Sequence, residues 1–478
     1  MSTITQDGAT AVFGEGVRAA HWDGIAEKWG LRRGPGRAYH RRLAALYGYF
    51  IPPGRRILEI GCGRGDLLSA LKPALGVGVD FSGSMVKLAK RRHPELRIVR
   101  ADAHDLSAVE GPFEAIVVSD LIHDLRDVEA ALQGWARLCS PRTRLILNFQ
   151  SRLWSGPRRL AQALGLAAPL LPQNWLTTTD VRNLLNLAGF ETIQTRQEIL
   201  WPFPLAGFFN RFLVRFWPLR HLALTNMVVA RMKAAPRSES PSVSVIIPVR
   251  NEAGMIKTIL ETVPRMGRKT ELIFVEGHSK DGSGEVVERE MAAHPGVPAR
   301  LFRQAGIGKA DAVRRGFAEA KGDILMILDA DLTVPPEFLP QFYKALETGT
   351  GEFINGVRLV YPMEGRAMRP LNLLANKFLG LAFSWLLGQS LKDTLCGTKV
   401  LWRADYESLA SNRVYFGDFD PFGDFDLLFG AAKAGLKIVD LPVRYRARTY
   451  GTTNIARWRH GWLLFRMLFY GARRIKFI

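Results

Sequence analysis

The sequence is poor in cysteine, with three in 478 residues (Cys62, Cys139 and Cys396), odd in number and far apart. That spacing gives no disulfide framework and no metal-knuckle pattern, and it fits a reducing cytoplasm. Long apolar runs are missing too. No uncharged apolar stretch reaches the roughly 18 residues a spanning helix needs. The longest candidate, Leu371 to Gly388, is broken by Asn372, Asn376 and Lys377. Membrane contact, where it exists, should therefore be lateral. The opening MSTITQDGATAVFGEG lacks the basic-then-apolar order of a secretory signal. Neither a short repeat nor a low-complexity tract occurs. Acid is scarce relative to base: 45 Asp and Glu against 65 Lys and Arg leave a net charge of +20, so the surface as a whole attracts anions. No RNA- or DNA-binding module pattern accompanies that charge, so nucleic acid is not the expected partner.

What is present is ordinary globular material. Apolar residues at 47 % and charged residues at 23 % exclude a disordered or collagen-like chain. At about 150 residues per domain the length implies two or three domains. The segment Lys233-Ala-Ala-Pro-Arg-Ser-Glu-Ser-Pro241 is polar and rich in Pro and Ser, and reads as a linker over 233–241. Before it, strand candidates are Ile57–Ile60, Val77–Val79, Leu96–Val99, Ala115–Ser119 and Arg144–Phe149. After it they are Val243–Pro248, Leu272–Val275, Ile324–Leu328, Glu352–Gly356 and Ile438–Val443. Helical patterns separate most of them. The fold class is α/β, each half a mostly parallel sheet covered on both faces.

In the first half, Leu58-Glu59-Ile-Gly61-Cys-Gly63-Arg-Gly65-Asp66 joins an apolar strand to a helical pattern. Its glycines let the backbone turn sharply and approach a ligand beside the positive end of a helix. Val77-Gly-Val-Asp80 ends the next strand with a carboxylate suited to ribose hydroxyls, which a nicotinamide dinucleotide would satisfy equally well. A third acid follows at Ala101-Asp102-Ala103. Together Glu59, the GxGxG of 61–65, Asp80 and Asp102 resemble class I S-adenosylmethionine-dependent methyltransferases, over a domain of residues 1–232. The resemblance implies a Rossmann-like sheet in which Gly61, Gly63 and Gly65 pass the methionine part of S-adenosylmethionine. It also implies that Asp80 holds the ribose and that Asp102 with Ala103 lies beside the adenine. Ser119, Asp120 and His123 follow the fourth strand, where such enzymes place substrate-side groups. A helix N-cap explains the first two almost as well. The methyl acceptor is not named by the sequence.

In the second half, Ile327-Leu-Asp329-Ala-Asp331 reads as an apolar strand ending in two carboxylates. In an extended chain residues i and i+2 share a face, so both acids would converge on one hard divalent cation and the diphosphate it neutralises. Its company is Val245-Ile-Ile-Pro248-Val-Arg-Asn-Glu252, Glu271-Leu-Ile-Phe-Val-Glu276-Gly-His-Ser-Lys-Asp281-Gly and Gly306-Ile-Gly-Lys309-Ala-Asp311. In this order the four resemble family 2 glycosyltransferases of the GT-A fold, over residues 242–455. That implies Pro248, Glu252, Glu276, Lys309 and Asp329 around a nucleotide sugar, and Asp329 and Asp331 on Mg²⁺ or Mn²⁺. Many relatives carry paired aspartates where Glu276-Gly277 stands, so nucleobase recognition does not transfer.

Lys392-Asp393-Thr394-Leu-Cys-Gly397-Thr-Lys399, Asn355-Gly-Val-Arg358 and Arg448-Thr-Tyr-Gly451 resemble segments of dolichyl- and polyprenyl-phosphate sugar synthases. The resemblance implies acceptor-side arginines at Arg358, Arg369 and Arg448, which suit an acceptor that is itself a phosphate. Asp424 and Asp426 lie where family members place an acid facing the acceptor, a base if that acceptor is a hydroxyl. Two amphipathic stretches favour a lipid partner: Leu374, Phe378, Leu381 and Trp385 form one stripe, and Trp458, Trp462, Phe465 and Phe469 another. After Asp440 there are nine Lys and Arg and no acid, so 456–478 reads as a basic interfacial helix. The expectation is a bifunctional enzyme on the inner face of the cytoplasmic membrane. One activity would move a hexose from a nucleotide sugar to a polyprenyl phosphate with inversion, and the other would be methyl transfer. Transfer to a hydroxyl of a glycan or glycolipid, a methyltransferase with a glycan-binding second half, and a non-catalytic scaffold are the alternatives.

Overall fold

The computed structural model describes residues 15–31, 37–164, 171–201, 206–234, 239–362, 370–415, 423–450 and 457–478. The chain forms two compact units, Met1–Lys233 with Phe477–Ile478, and Ala234–Lys476. The division falls at the first residues of the expected linker, of which 235–238 lie outside the described residues.

Unit 1 is built on β1 (Arg56–Ile60), β2 (Leu75–Asp80), β3 (Arg97–Arg100), β4 (Phe113–Ser119), β5 (Cys139–Gln150), β6 (Phe190–Glu198) and β7 (Thr225–Met232). Their order in the sheet is β3-β2-β1-β4-β5-β7-β6. The first five run parallel and β7 is antiparallel to both its neighbours. Strand order reverses between β1 and β4, so the C-terminal ends of β1, β2 and β4 border a crevice. Near-continuous apolar runs give strands buried on both faces, with Leu58, Ile60, Val79, Ile116, Val118 and Leu147 in one core. Strands β6 and β7 were not expected. The β6 run Phe-Glu-Thr-Ile-Gln-Thr-Arg-Gln-Glu is mostly polar, and its last residue is nevertheless fully buried. Glu198 accepts two hydrogen bonds from Arg215 (2.6 and 2.9 Å) and one from Arg42 (3.1 Å), which is how a polar edge strand enters the core.

Unit 2 carries β8 (Val243–Val249), β9 (Thr270–Glu276), β10 (Ala299–Arg303), β11 (Ile324–Ile327), β12 (Phe353–Val357), β13 (Lys399–Trp402) and β14 (Ile438–Pro442), in the order β10-β9-β8-β11-β13-β12-β14. Strands β10 and β13 were also unexpected; β13 is antiparallel to β11 and β12, while the other neighbouring pairs are parallel. The helix Lys309–Glu319 lies close on the sheet at Gly316, where a Cβ would collide with Ile246. That close approach sets Lys309, in the first helical turn, over the ends of the central strands.

Candidate active sites

In unit 1 the loop after β1 turns through three left-handed glycines, Gly61, Gly63 and Gly65 (φ 75°, 50° and 74°), a region that favours glycine. A cavity of about 480 Å³ opens above it, with Glu59, Gly61, Gly63, Asp80, Asp102 and Ala103 in its lining. Asp80 accepts the N–H of Gly63 (2.9 Å) and of Ser82 (3.0 Å), which fixes its carboxylate at the end of β2. Burial raises its pKa against those two bonds. Glu59 is fully enclosed and accepts the Leu68 N–H at 3.0 Å, and burial pushes its pKa up to about 8. Asp102 accepts both the backbone N–H and Nδ1 of His104, each at 2.7 Å, and that side-chain bond lowers its pKa. His104 in turn accepts the Asp127 N–H at Nε2 (3.2 Å), so its proton is on Nδ1.

Ser119 and Asp120 line the same cavity, the latter with φ 52°. The Asp120 carboxylate accepts the Tyr39 hydroxyl (2.9 Å) and Nδ2 of Asn148 (2.8 Å), and burial raises its pKa to about 6. His123, expected on the substrate side, is buried, donates from Nδ1 to the Asn174 carbonyl (2.8 Å) and accepts the Gln150 N–H at Nε2 (2.7 Å). Both ring nitrogens are consumed by backbone.

In unit 2 the acids of Asp329-Ala-Asp331 do not lie on an extended strand. β11 ends at Ile327 and the acids occupy the turn beyond it, with Leu332 at φ 50°. Each is held instead by a cationic partner of its own. Lys309 Nζ sits 2.6 Å from Asp329 Oδ1. Burial opposes the Lys309 charge, but Asp329, Asp424 and Asp331 outweigh it and raise its pKa. Asp331 receives the Thr333 N–H and hydroxyl on Oδ1 (3.1 and 2.9 Å) and Arg448 Nη2 on Oδ2 (2.7 Å). The other prong of Arg448 bonds Glu252 Oε1 at 2.8 Å, while Glu252 Oε2 is buried with no hydrogen-bond partner. Burial pushes Glu252 up to about 7. Gly397 is pressed against this cluster, since a Cβ there would collide with the Asp329 carboxylate and the Lys309 ammonium. Hard carboxylate oxygens, one of them orphaned, are a donor set suited to a divalent cation completed by a diphosphate. Among the described residues no cluster of three or more His, Cys, Asp or Glu forms an all-protein metal cage.

Two family models match the chain: Methyltransferase domain over residues 57–142, and Glycosyl transferase family 2 over residues 244–408. The chain thus matches a methyltransferase domain in its first half and a family 2 glycosyltransferase domain in its second. Among curated relatives of the glycosyltransferase domain is the dolichol-phosphate mannosyltransferase of Saccharomyces cerevisiae, 42 % identical over 22 % of this chain and 40 % of the relative. An undecaprenyl-phosphate 4-deoxy-4-formamido-L-arabinose transferase of Edwardsiella ictaluri is 38 % identical over 44 % of this chain and 62 % of its own length. The chain thus spans only part of the relatives it matches. Solved structures that resemble parts of it include the magnesium protoporphyrin IX methyltransferase of Synechocystis PCC 6803 (17 % identity, TM-score 0.35, 46 % of this chain and 99 % of that one). Another is the glucosyl-3-phosphoglycerate synthase of Mycobacterium tuberculosis (20 % identity, TM-score 0.36, 49 % and 80 %).

Within the glycosyltransferase domain the expected residues divide into two groups. Glu252, Lys309, Asp329, Asp331 and Arg448 form one connected cluster. Asp424 joins it from the first turn of the helix Asp424–Lys433, 3.2 Å from the fully buried Lys399 Nζ. Asp426, two residues on, turns to Arg413 instead (Nε at 2.8 Å). Glu276 spends its carboxylate on the Ser279 N–H at 2.5 Å, and Pro248 lies near the end of β8. Arg358 departs most from expectation. Its Nε and Nη2 form a two-pronged pair with Asp393 (2.7 and 2.9 Å) and its own N–H bonds the same carboxylate (3.1 Å), so its fork is already committed inside the domain. Arg369 lies outside the described residues.

Sequence reasoning missed Lys399, Asp393 as a partner, and the methyltransferase residues Tyr39 and His104. The segment quoted for its resemblance already contained the first two. Nothing local marks Tyr39, whose role comes from a helix 81 residues from Asp120.

Proposed function

We propose that the glycosyltransferase domain moves a hexose from a nucleotide sugar to a polyprenyl phosphate at the inner face of the cytoplasmic membrane, with inversion. On the same reading the methyltransferase domain uses S-adenosylmethionine. The observation that carries the first part is the cluster in which Asp329 and Asp331 are each held by a fixed cation, Lys309 and Arg448. Supplied there, Mg²⁺ or Mn²⁺ would neutralise charge on the leaving diphosphate. The chain's own residues do the rest. Lys309 is locked as an ammonium beside the donor position, Thr333 fixes the rotamer of Asp331, and Gly397 leaves room for the pair. A phosphate acceptor is already an anionic nucleophile at neutral pH, so in-line placement suffices and no base is required. The relatives named for dolichol phosphate and undecaprenyl phosphate support that acceptor class.

A lipid acceptor also agrees with the surface. In the helix Pro370–Leu387, Leu374, Phe378 and Leu381 are exposed at 67, 54 and 74 %. In Arg457–Gly471, Trp462, Phe465 and Phe469 are exposed as well, and the Phe378 and Phe465 rings lie 6.4 Å apart. Side by side the two helices turn an apolar stripe to solvent, with Lys377, Arg466 and Arg473 also exposed, as an interfacial pair requires. No helix among the described residues is long and apolar enough to cross a membrane.

For the methyltransferase domain, the lining of the cavity fits S-adenosylmethionine: a fixed carboxylate at Asp80 for the ribose, glycine backbone at 61–65, and Asp102 with one oxygen occupied by His104. When bound, that cofactor supplies an electrophilic methyl group.

A second reading, transfer to a sugar hydroxyl, rests on Asp424, a buried carboxylate whose Oδ1 accepts no well-formed hydrogen bond and is paired electrostatically with Lys399 Nζ at 3.2 Å. Purified protein incubated with membrane lipid extract and a panel of labelled nucleotide sugars separates the two, with the labelled lipid characterised by mass spectrometry. A sugar phosphodiester, with Asp424→Asn retaining turnover, supports phosphate transfer. A glycosidic product lost in Asp424→Asn replaces it with the hydroxyl reading. Unchanged turnover in Asp331→Ala would overturn the metal assignment.

A further inference from the structure

The methyltransferase domain has an apolar surface that neither reading above uses. Between Glu129 and Asp180, and again between Glu198 and Glu239, the chain contains no acidic residue. Within those two tracts fall Leu153, Leu160, Phe208, Phe212, Phe216 and Trp217, exposed at 56, 62, 60, 41, 54 and 73 %. A folded domain seldom leaves so many large apolar side chains in water unless the patch meets something. The two tracts meet in the fold. Trp154 Nε1 donates to the Leu222 carbonyl (3.0 Å), and the Ser151 N–H donates to the Leu224 carbonyl (2.7 Å).

Its composition states what it meets. Leu153 lies in the 3₁₀ turn Arg152–Trp154 and Leu160 in the helix Ser155–Ala163 that follows it, with Arg152 and Arg159 beside them and exposed. The Arg211 guanidinium lies over the Phe212 ring at 5.9 Å. Aromatic residues interleaved with arginines, in tracts without a single acid, complement an apolar layer beneath anionic headgroups. A protein partner would more usually be met by a patch with both signs of charge.

A chain of buried hydrogen bonds joins the strands that carry both tracts to the cavity wall. Thr225 pairs with Gln150 across the strands that carry both tracts, its hydroxyl bonds Tyr39 (3.3 Å), and Tyr39 bonds the cavity-lining Asp120. We infer that the methyltransferase domain docks on an anionic bilayer through Leu153, Leu160, Phe208, Phe212, Phe216 and Trp217. The docking does not rest on the sugar-transfer reading and survives its failure.

The test uses the full chain with Trp217→Cys carrying a polarity-sensitive nitrobenzoxadiazole label; Cys62 and Cys396 are buried, and a Cys139→Ser background removes the half-buried thiol. Vesicles of phosphatidylglycerol and phosphatidylcholine should shift the emission to the blue and raise its intensity, and pure phosphatidylcholine should do so weakly. Arg152→Glu with Arg159→Glu should weaken vesicle partitioning by at least about fivefold per site, the effect of one basic residue near the surface. Circular dichroism checks that each variant is folded. An unshifted label on a chain that nevertheless sediments with the vesicles would overturn the inference, because only the other half would then be docked. A shift that depends on protein concentration without vesicles would overturn it too, and would make the patch a self-association face.

Discussion

Asp393→Asn is the perturbation that decides what Arg358 does. Three donors of Arg358 converge on the Asp393 carboxylate, whose side chain has no exposed surface, and the Arg358 side chain is 11 % exposed. The asparagine keeps size and shape but removes the charge, leaving a guanidinium desolvated and half-satisfied. Breaking one side of a buried pair costs about 3–5 kcal/mol. At about 2–4 °C per kcal/mol for a domain of this size, the transition of the glycosyltransferase domain should fall by roughly 6–20 °C. Differential scanning calorimetry of the full chain reads this directly, with the methyltransferase domain as an internal reference. The sign with pH is fixed. Burial opposes the Asp393 charge, but Arg358 outweighs it and depresses the pKa. The contribution is therefore present above the ordinary carboxylate value and is lost as pH falls through the folded one, so variant and parent should approach each other below about pH 4. The double variant Arg358→Met, Asp393→Leu should recover most of the loss, since an apolar pair leaves no stranded charge. A shift under about 3 °C, with acceptor affinity lost instead, would refute this and return Arg358 to the acceptor.

Other outcomes follow from the same geometry. Gly397→Ala should push apart the Asp329 carboxylate and the Lys309 ammonium, both of which an added Cβ would collide with, so transfer should fall at least tenfold in an assay of labelled lipid. Glu59 has its folded pKa raised by burial to about 8, so stability should fall as pH rises from about 4.5 to 8, and Glu59→Gln should flatten that slope in urea denaturation. Replacing Trp462 and Phe469 together with serine should reduce vesicle co-sedimentation about a hundredfold or more, since each large apolar side chain contributes about 1.5–3 kcal/mol on burial. Asp426→Asn should act through stability, by releasing Arg413, and spare the transfer step.

Most of the architecture was legible because the central strands are short apolar runs ended by polar turns. All ten expected strands exist, each within a few residues of its bounds. Of the four that were missed (β6, β7, β10 and β13), β6 and β13 draw their place from partners distant in sequence. β6 is polar and is held by Glu198 with Arg42 and Arg215, and β13 begins at Lys399, inside a segment read for its chemistry. The sites show the same limit. Motif spacing brought Glu59, Asp80 and Asp102 to one cavity and Glu252, Asp329 and Asp331 to one cluster. It could not show that Arg358 has an internal partner, or that Asp424 and Asp426 point to different neighbours. A fork committed to Asp393 and a free one have the same local sequence. His123 makes the point from the other side, since its two backbone partners at Gln150 and Asn174 are fixed only by the fold.

The account stands on Asp329 and Asp331 sharing one divalent cation with a nucleoside diphosphate. Isothermal titration of the full chain with uridine and guanosine diphosphates, with and without Mn²⁺, tests this most directly when repeated on Asp331→Ala. The parent should bind one of the two at least tenfold more tightly with Mn²⁺, and the variant should lose that gain while keeping its fold. Equal affinity with and without the metal, or a gain that survives Asp331→Ala, would contradict it.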